Sequence, residues 1–501
     1  MTPVVTDVCI VVEGCYPYIA GGVSSWLDWL IRKQPDLRFS VVALTADDVP
    51  RDMKYKLPDN VVLFQRLALA PKALRPRATG PRLDGDAMAA ALLDLWQRGN
   101  PDALDRLAAL ANSPVPAGPL GLWRAPARPD HADLIVSQAA WTAMTRCYQA
   151  LAPQASFSDF FWTWRQVVGG LFALLQAPVP PAKVYHAIST GYAGLFAVKA
   201  ARAEGARCAV TEHGIYTNER RIDLVMADWI TDSLPRGYGI EDPRGDMRDI
   251  YIAAFEGFAR AIYASADKIT ALYGANQSFQ RTLGAVDAKL QVIPNGIELD
   301  RFAGVTLLTE KPRPVVGLIG RVVPIKDIEA LILAAAEIRR AVPDVEMLII
   351  GPTDEDPAYF AACQARVAEL DLGGTVTFTG RMNIVDVLPR LDVLLLSSIS
   401  EAQPLVILEA GAAGIPCVAT DVGSCRDIIE GAAGEAPAFG RGGFVVPPMD
   451  PHALARATVD LLTDRALRES WGRAMRLRVE THFTSGASAA QYGALYAGLM
   501  A

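Results

Sequence analysis

Short apolar runs alternate with segments of helical periodicity through the second half of this 501-residue chain. The pattern predicts strands at 315–319, 346–350, 375–379 and 393–397, and helices at 327–341, 357–370 and 404–413. Strands separated by helical runs of this length need crossovers, which make the sheet parallel and its connections right-handed. The alternation therefore predicts an α/β domain over about 305–478, with its ligand site at the carboxyl ends of the strands.

The first 300 residues show a similar pattern with an interruption. Strand signals at 7–13, 39–44 and 61–65 predict a first sheet, which resumes at 184–187 and 208–211. Between about 67 and 181 the chain is rich in Ala, Leu, Pro and Arg, which predicts a largely helical insertion. Packing against the first sheet is its expected role, and a docking surface for partner proteins is the alternative. The final segment, 479–501, is expected to be a helix that packs back on the first domain.

The net charge and the cysteines narrow the function classes. A net charge of −7 offers no long basic field, so nucleic acid is not an expected partner. The 7 cysteines are odd in number and form no C-x-x-C pair, which argues for a reducing cytoplasm and against a disulfide framework or a zinc site. No apolar run approaches the roughly 20 residues that a membrane helix requires. We therefore expect a cytoplasmic chain that reaches a membrane face only through partners.

Two carboxylates, Glu401 and Glu409, stand across a predicted loop and helix start. The helix is predicted to begin at Pro404, whose missing N–H costs nothing there, and to end near Gly414, a good left-handed cap. Five helical residues alone rise about 7.5 Å, which argues against the carboxylate pair of a retaining glycosidase at about 5–5.5 Å. The two acids are expected to contact different parts of one ligand. A local cap or salt bridge for Glu409 and a solvated Glu401 are the alternative.

Two cations, Arg321 and Lys326, flank the loop that follows the predicted strand at 315–319. An arginine fork binds phosphate oxygens bidentately, while lysine acts as a mobile point charge, so the pair suits a diphosphate. A surface salt bridge is the alternative for both cations.

The amino-terminal half contributes a glycine pair and a histidine. Gly21 and Gly22 stand between a buried-strand run and a predicted helix, where free amides and a helix dipole can cradle an anion. The G-x-G-x-x-G fingerprint of dinucleotide sites is absent. His213 follows the predicted strand at 208–211, where its side chain can enter a ligand cleft. A structural histidine is the alternative.

The order of these features resembles glycosyltransferase family 4, retaining enzymes of the GT-B architecture that use nucleotide sugars. Segments 293–297 and 414–423 also match family positions. The resemblance implies two Rossmann-like domains facing each other across a cleft. A narrower likeness, in 13–26 and 211–223, is to the cytoplasmic transferases that make Pel exopolysaccharide. Two residues depart from the family pattern: Gly411 interrupts its small-apolar helix start, and Ala402 replaces a glycine. The methyl group of Ala402 can crowd the donor sugar, so this second departure bears on donor choice.

The resemblance also implies a role for each candidate residue. Binding of the donor diphosphate is assigned to side chains and to backbone amides at two helix starts: Arg321, Lys326, Gly21, Gly22, Gln403, Pro404 and Leu405. Glu409 is expected to bind the ribose hydroxyls, whereas Glu401 and His213 serve the donor sugar at the reaction centre. Candidates for the acceptor side are Arg220, Arg221 and Asp223.

The expected reaction needs no cofactor and no metal. Cations and amides already neutralise the phosphates, and the acidic run 354–356 precedes a helix, where acids favour the dipole. The implied substrates are a UDP-hexose or UDP-N-acetylhexosamine and a growing polysaccharide, and the implied partners are inner-membrane proteins of the export machinery. Retention is expected through a front-face route in which the leaving phosphate accepts the proton of the acceptor.

Three other interpretations stay open at this point. A catalytically inactive nucleotide-binding scaffold would lose His213 or Glu401, and the presence of both favours catalysis. An NAD-dependent dehydrogenase needs a glycine fingerprint after a strand, which neither Gly14 nor Gly351 begins. A family 4 transferase with a lipid-linked or small acceptor keeps the chemistry but changes the substrate.

Overall fold

Two parallel sheets organise the chain. The computed structural model describes residues 4–70, 83–114, 128–153, 155–225, 247–308 and 311–501. The chain forms two units, each with its own sheet. The first unit comprises Met1–Ala271, Gln277–Gln291 and Gly493–Ala501, and the second comprises Leu272–Asn276 and Val292–Tyr492.

The first strand of the chain lies in the interior of the first sheet, and later strands are added on both sides of it. In the described residues its strands are β1 (Thr6–Glu13), β2 (Phe39–Thr45), β3 (Val61–Ala68), β4 (Ala182–Ala187), β5 (Arg207–Glu212), β6 (Lys268–Ala271) and β7 (Leu290–Val292). Their order is β3-β2-β1-β4-β5-β6-β7, and β1 pairs in parallel with both β2 and β4. The order reverses between β1 and β4, which is the switch point where open α/β sheets bind ligands.

Helices cover the first sheet and fill the interval between β3 and β4. They are α1 (Gly22–Arg32), α2 (Gly85–Leu93), α3 (Pro101–Asn112), α4 (His131–Val136), α5 (Gln138–Leu151), α6 (Phe157–Gln176), α7 (Tyr192–Glu204), α8 (Tyr216–Val225), α9 (Met247–Ser265) and α10 (Asn276–Thr282). Helices α2 to α6 all lie between β3 and β4 in sequence. Their buried residues, such as Leu92 and Phe172, share one hydrophobic cluster with Val11 of β1 and Tyr185 of β4. These helices are thus part of the core of the first unit.

The second sheet repeats the same construction. Its strands are β8 (Val315–Ile319), β9 (Glu346–Ile350), β10 (Val376–Gly380), β11 (Val393–Leu396), β12 (Cys417–Thr420) and β13 (Gly443–Val446). Their order is β10-β9-β8-β11-β12-β13, and neighbouring strands pair in parallel, with β8 next to β11. The switch point therefore lies between β8 and β11. The prediction of a parallel α/β sheet from the alternating pattern is confirmed.

Helices pack on both faces of the second sheet. They are α11 (Ile328–Ala341), α12 (Pro357–Glu369), α13 (Ile384–Val387), α14 (Leu405–Ala412), α15 (Cys425–Glu430), α16 (Pro451–Thr463) and α17 (Arg465–His482). The last helix, α18 (Ser485–Met500), begins in the second unit, and its residues from Gly493 onward belong to the first. Neighbouring residues of β8 face opposite sides, since Val315 joins one hydrophobic cluster and Val316 the other. Burial on both faces explains why the strands read as continuous apolar runs in the sequence. None of the helices in the described part of the chain has the length and apolar content needed to cross a membrane.

Candidate functional site

The loop after β11 is tied to the turn after β8 at the switch point of the second sheet. The Ile399 N–H donates to the carbonyl of Ile325 at 2.9 Å, and Ser397 Oγ donates to the carbonyl of Lys326 at 2.7 Å. The turn carries Lys326 and the loop carries Glu401, so these two bonds bring the predicted cation and the first predicted carboxylate to one place.

Lys326 and Glu401 form an ion pair. Lys326 Nζ donates to Glu401 Oε1, and Ser398 Oγ donates to the same oxygen at 2.7 Å. Each side chain of the pair is only 16% exposed. Two donors on one oxygen fix the carboxylate in place, because hydrogen bonds to charged groups are stronger than those between neutral groups. The site thus holds a cation and a carboxylate side by side at the switch point.

Arg321 lies further out on the same edge. It pairs with Glu355 at 2.8 Å, and its side chain is half exposed. The next acid, Asp356, caps α12 by accepting from the Tyr359 N–H at 2.9 Å. The contacts of Glu355 and Asp356 are therefore an ion pair and a helix cap. The role of Arg321 at a diphosphate stays a prediction.

Helix α14 begins one residue later than the sequence pattern predicts. It starts at Leu405, and Pro404 keeps an extended conformation as the residue that precedes it. The side chain of Gln403 is engaged with the backbone of Asn295: its Oε1 accepts from the N–H at 2.8 Å and its Nε2 donates to the carbonyl at 3.1 Å. From this turn only backbone amides are available to a phosphate. At the other end Gly414 is left-handed, with φ of 81°, as the predicted cap requires.

Glu409 lies inside α14, as predicted, and its side chain is 16% exposed. Burial raises the pKa of this carboxyl to about 7, against the opposing effect of Arg301. Arg301 Nη1 is 3.7 Å from Glu409 Oε1. Sequence analysis missed Arg301, because no local pattern connects a residue at 301 to a helix a hundred positions later. Glu409 can therefore change its charge near neutral pH.

A close backbone contact holds the loop at Glu401 and Ala402. Gly423 has φ of 56°, and a Cβ there would lie 2.3 Å from the carbonyl oxygen of Ala402 and 2.4 Å from that of Glu401. The Ser424 N–H donates to the Ala402 carbonyl at 2.9 Å. Only glycine suits position 423, because other residues would meet both steric conflict and backbone strain.

Helix α14 packs closely against α17 at Gly411. A Cβ at Gly411 would approach Val479 Cγ2 to 2.8 Å and Met475 Cε to 3.0 Å. The glycine that departs from the family pattern is therefore the place where the two helices approach closely.

In the first unit, the glycine pair begins α1. Gly22 is its first residue and Gly21 its N-cap, and a Cβ at either glycine would meet no other atom within 4 Å. Both residues are exposed. The space around them is open, as a site for a ligand requires, and their role as an anion cradle stays a prediction.

A cavity of about 210 Å³ opens at the switch point of the first sheet. Its lining includes Glu13 at the end of β1, Ser189 after β4, and His213 after β5. The imidazole of His213 meets the ring of Trp26 edge-on, with ring centres 4.3 Å apart. Burial lowers the pKa of His213 to about 4, so the ring is neutral at neutral pH. Its Nε2 is buried and has no hydrogen-bond partner among the described residues.

Glu13 occupies the amino terminus of α7. Its Oε2 accepts from the N–H groups of Tyr192 at 3.2 Å and Ala193 at 3.4 Å, and its Oε1 accepts from the hydroxyl of Tyr216 at 3.0 Å. Burial raises the pKa of Glu13, and the nearby guanidinium of Arg220 opposes that effect. Sequence analysis includes Glu13 in the segment 13–26 that carries the narrower likeness but gives it no role at the site, because a single acid at the end of a strand does not indicate a contact.

Glu212 has the corresponding place at α8. Its Oε1 accepts from the Tyr216 N–H at 3.3 Å and from Thr190 Oγ1 at 3.2 Å. Its Oε2 accepts from the hydroxyl of Tyr263 and from Gln280 Nε2 at 3.0 Å. Burial raises the pKa of this carboxyl too. The amino termini of α7 and α8 are thus covered by carboxylates of the chain itself.

The predicted acceptor-side residues lie on α8. Arg220 donates to the Tyr216 hydroxyl at 3.0 Å and stacks over the Tyr216 ring, and Arg221 pairs with Glu256 at 2.6 Å. Asp223 lies in the helix, but its side chain is outside the described residues. Arg220 is thus adjacent to the cavity wall, and the acceptor role of all three residues stays a prediction.

Comparisons with known proteins place this site in a family. Residues 6–288 match the model described as "Domain of unknown function (DUF3492)", and residues 306–478 match that of "Glycosyl transferases group 1". The chain therefore belongs to the DUF3492 family and carries a group 1 glycosyltransferase domain. The second match contains Lys326, Glu401 and Glu409.

Among curated relatives, N-acetyl-alpha-D-glucosaminyl L-malate synthase of Bacillus anthracis is 30% identical over 173 residues, which cover 34% of this chain and 42% of that protein. The chain spans about half the length of the first curated relatives that it matches.

Two solved structures cover almost the whole chain. Sucrose-phosphate synthase from Thermosynechococcus elongatus has a TM-score of 0.57 and 18% identity, and covers 98% of this chain and 99% of its own. Anabaena HepE in complex with UDP and glucose has a TM-score of 0.55 and 14% identity, with coverage of 98% and 99%. These likenesses confirm the predicted GT-B fold class.

Proposed function

We propose that this chain is a glycosyltransferase that transfers a hexose or an N-acetylhexosamine from a UDP-sugar to a growing exopolysaccharide. The group 1 glycosyltransferase match over residues 306–478 supports the reaction class. The structural likeness to HepE, which was solved with UDP and glucose, supports the choice of UDP. Two of the curated relatives have names that include a transferred sugar, which supports a sugar donor for this chain.

The observation that carries the proposal is the pairing of Lys326 with Glu401 at the switch point. A departing nucleoside diphosphate gains negative charge while the sugar becomes positive, so the site must present a cation and an anion close together. The ion pair of Lys326 and Glu401 provides both, held in place by Ser397 and Ser398. In the proposed complex Lys326 turns to the diphosphate, and Glu401 contacts the hydroxyls of the donor sugar.

The rest of the donor site follows along the same edge. The first amides of α14 and the side chain of Arg321 extend the positive region toward the phosphates. Glu409 accepts from the ribose hydroxyls, as its place further along α14 allows. We propose that the anomeric configuration is retained through a front-face reaction and that no metal takes part. We also propose that His213 contacts the donor sugar.

The narrower likeness defines the rest of the proposal. The segments 13–26 and 211–223 resemble PelF, the glycosyltransferase of Pel exopolysaccharide synthesis. We propose a Pel-like polymer as product, a cytoplasmic location, and inner-membrane proteins of polysaccharide synthesis and export as partners. A lipid-linked or small acceptor is the alternative within the same reaction class.

The test is calorimetric binding of UDP, ADP and GDP, with and without EDTA, to the wild type and to Glu409→Ala. We expect UDP to bind selectively, the binding to survive EDTA, and the affinity to fall in the variant. A variant of Glu369, an exposed acid at the end of α12, serves as the matched control and should bind UDP like the wild type.

Turnover then separates an enzyme from a scaffold. Release of UDP from UDP-hexoses or UDP-N-acetylhexosamines, measured with and without added acceptor, should be seen in the wild type. UDP binding without turnover of any donor would favour an inactive scaffold. Failure to bind any nucleotide would overturn the proposal.

A further inference from the structure

The loop that carries His213 is only three residues long, and its two ends are joined directly. It runs from Glu212, the last residue of β5, to Tyr216, the first residue of α8. Glu212 Oε1 accepts from the Tyr216 N–H at 3.3 Å. A catalytic side chain keeps its geometry only when the groups around it are themselves fixed. The place of the His213 ring therefore depends on what holds Glu212 and Tyr216.

The hydroxyl of Tyr216 donates and accepts at the same time. It donates to Glu13 Oε1 at 3.0 Å, and it accepts from Arg220 Nη2, also at 3.0 Å. A tyrosine hydroxyl has one proton to donate, and that proton is used on Glu13. Hydrogen bonds with ionised partners are stronger than those between neutral groups. Tyr216 is thus held between a carboxyl group at the end of β1 and a cation of its own helix.

The ring of Tyr216 fits against the turn that precedes α7. Gly191 in this turn has φ of 83°, and a Cβ there would lie 2.7 Å from Tyr216 Cε1. The ring also meets that of Phe255 edge-on, with ring centres 5.9 Å apart. Through its ring, its hydroxyl and its N–H, Tyr216 therefore connects the turn after β4 with the ends of β1 and β5.

Arg220 lies behind this ring. Its guanidinium is over the rings of Tyr216 and Phe255, at 5.2 and 5.6 Å from their centres. It is not among the described side chains that line the cavity at His213, whereas Tyr216 is. The contacts of Arg220 thus lead to Tyr216, although the sequence pattern suggests a contact with the acceptor.

We propose that Tyr216 is a positioning residue for His213, and that Arg220 acts with it by holding the hydroxyl of Tyr216 on Glu13. The proposal rests on the proposed function, in which His213 contacts the donor sugar. It gives Arg220 a part in the donor reaction in place of a contact with the acceptor. The effect passes through the placement of the imidazole, since the hydroxyl of Tyr216 is bonded to two side chains of the chain itself.

The test is Tyr216→Phe, which removes the hydroxyl and keeps the ring and the backbone bond to Glu212. Release of UDP from UDP-glucose and from UDP-N-acetylglucosamine, measured without acceptor, reports on the donor reaction alone. We expect kcat to fall about tenfold or more and the donor KM to change less than about twofold, because a displaced catalytic group affects the reaction more than binding. Tyr148→Phe is the matched control: it removes a hydroxyl that donates to the Ala155 carbonyl at 2.8 Å, and it should keep the wild-type rate.

A double-mutant cycle shows whether the effect passes through His213. In a His213→Ala background, Tyr216→Phe should change the remaining rate by less than about twofold, since the group that it positions is gone. Arg220→Gln should lower the same acceptor-free rate, and its loss should not add to that of Tyr216→Phe. A direct contact of Arg220 with the acceptor would instead leave this rate intact in Arg220→Gln and overturn its proposed role.

Histidine NMR adds a measurement that does not depend on turnover. In protein with isotope-labelled histidine, the ring signal of His213 is identified by its absence from His213→Ala. This signal should shift or broaden in Tyr216→Phe and Arg220→Gln, and it should stay unchanged in Tyr148→Phe. A hydroxyl that only stabilises the fold would lower the resistance to urea without moving the signal.

An unchanged His213 signal in folded Tyr216→Phe, or additive losses in the cycle, would overturn the proposal and leave the proposed transferase intact. A wild type that neither binds UDP nor releases it from any UDP-sugar would remove the proposed function, and the positioning proposal with it.

Discussion

The two sheets end in edges of opposite character, although both have their switch point next to the first strand. At the second sheet the edge presents Lys326 with Glu401, and the helix that follows begins at Leu405 without a side-chain cap. At the first sheet Glu13 and Glu212 cover the helix starts. The two sheets thus share the position of their switch points, while the side chains at the following helix starts differ in charge and contacts.

The glycine pair is the exception within the first unit. Gly21 and Gly22 leave the start of α1 open, with no side-chain cap among the described residues. The first unit therefore has one uncapped helix start, at α1, near two helix starts that carboxylates of the chain cover.

The largest effect is expected when the cation at the edge of the second sheet is removed. Lys326→Ala should lower kcat by about 10²–10³, because it removes a preorganised group that stabilises the departing diphosphate. Initial rates of UDP release measure this effect. Arg313→Ala, at the other end of β8, is the matched control and should keep its rate. A loss of less than tenfold in Lys326→Ala would show that the phosphates are stabilised elsewhere.

A smaller effect is expected from the group that orients Glu401. Ser398→Ala removes the 2.7 Å bond to Glu401 Oε1 and should reduce kcat by about 10- to 100-fold, since a hydrogen bond to a charged group contributes about 1.5–3 kcal/mol. KM for the donor should change little. Ser398→Thr keeps the hydroxyl and should restore most of the rate. Equal rates in both variants would contradict a positioning role.

Glycine substitutions compare the two edges directly. Gly423→Ala should destabilise the chain by about 1–3 kcal/mol, because its φ of 56° and the carbonyls at 2.3 and 2.4 Å leave no room for a side chain. Gly21→Ala should change stability by less than about 0.5 kcal/mol, since its surroundings are open. Urea unfolding followed by circular dichroism measures both. If Gly21→Ala keeps its stability but loses donor binding, the α1 cradle gains support.

The smallest effect on the site is expected from a change of pH. Because burial raises the Glu409 pKa to about 7, the carboxyl gains a proton as the pH falls through that value. If UDP requires the ionised form, its affinity should fall about tenfold between pH 8 and pH 6. Calorimetry across this range, with Glu409→Gln to subtract the titration of the diphosphate, gives the measurement.

Substitution of Arg301 provides a second check on the pKa of Glu409. Its charge favours the ionised form of Glu409, so Arg301→Ala should move the midpoint upward. A midpoint near the ordinary pKa of a glutamate, at about 4.3, would contradict the burial of Glu409.

The same linkage applies to stability. An acid whose pKa is raised by folding binds more protons in the folded state between its two pKa values. The contribution of Glu409 to the free energy of unfolding should therefore decrease as the pH rises from about 4.5 to about 7. Glu409→Gln should remove that slope.

The sequence predicts well whatever depends on neighbouring residues. The first four strands of the second sheet, β8 to β11, the loop position of Glu401, the helix position of Glu409 and the Gly414 cap follow from local periodicity and turn chemistry. The short strands β12 and β13 were not predicted. Contacts between residues that are far apart in the sequence could not be predicted from it. Neither the bond between Lys326 and Glu401 nor the approach of Arg301 to Glu409 has a local signature, because tertiary packing alone brings these atoms together.

The packing of α14 against α17 links Glu409 to residues that lie far from it in the sequence. Gly411 is two residues from Glu409. Val479 and Met475, which lie where a Cβ of residue 411 would be crowded, belong to α17, much later in the chain. A change of volume at any of these three positions changes the packing beneath the helix that carries the carboxylate. Substitutions at this contact can therefore alter the surroundings of Glu409 while every predicted ligand-binding residue of the helix stays the same.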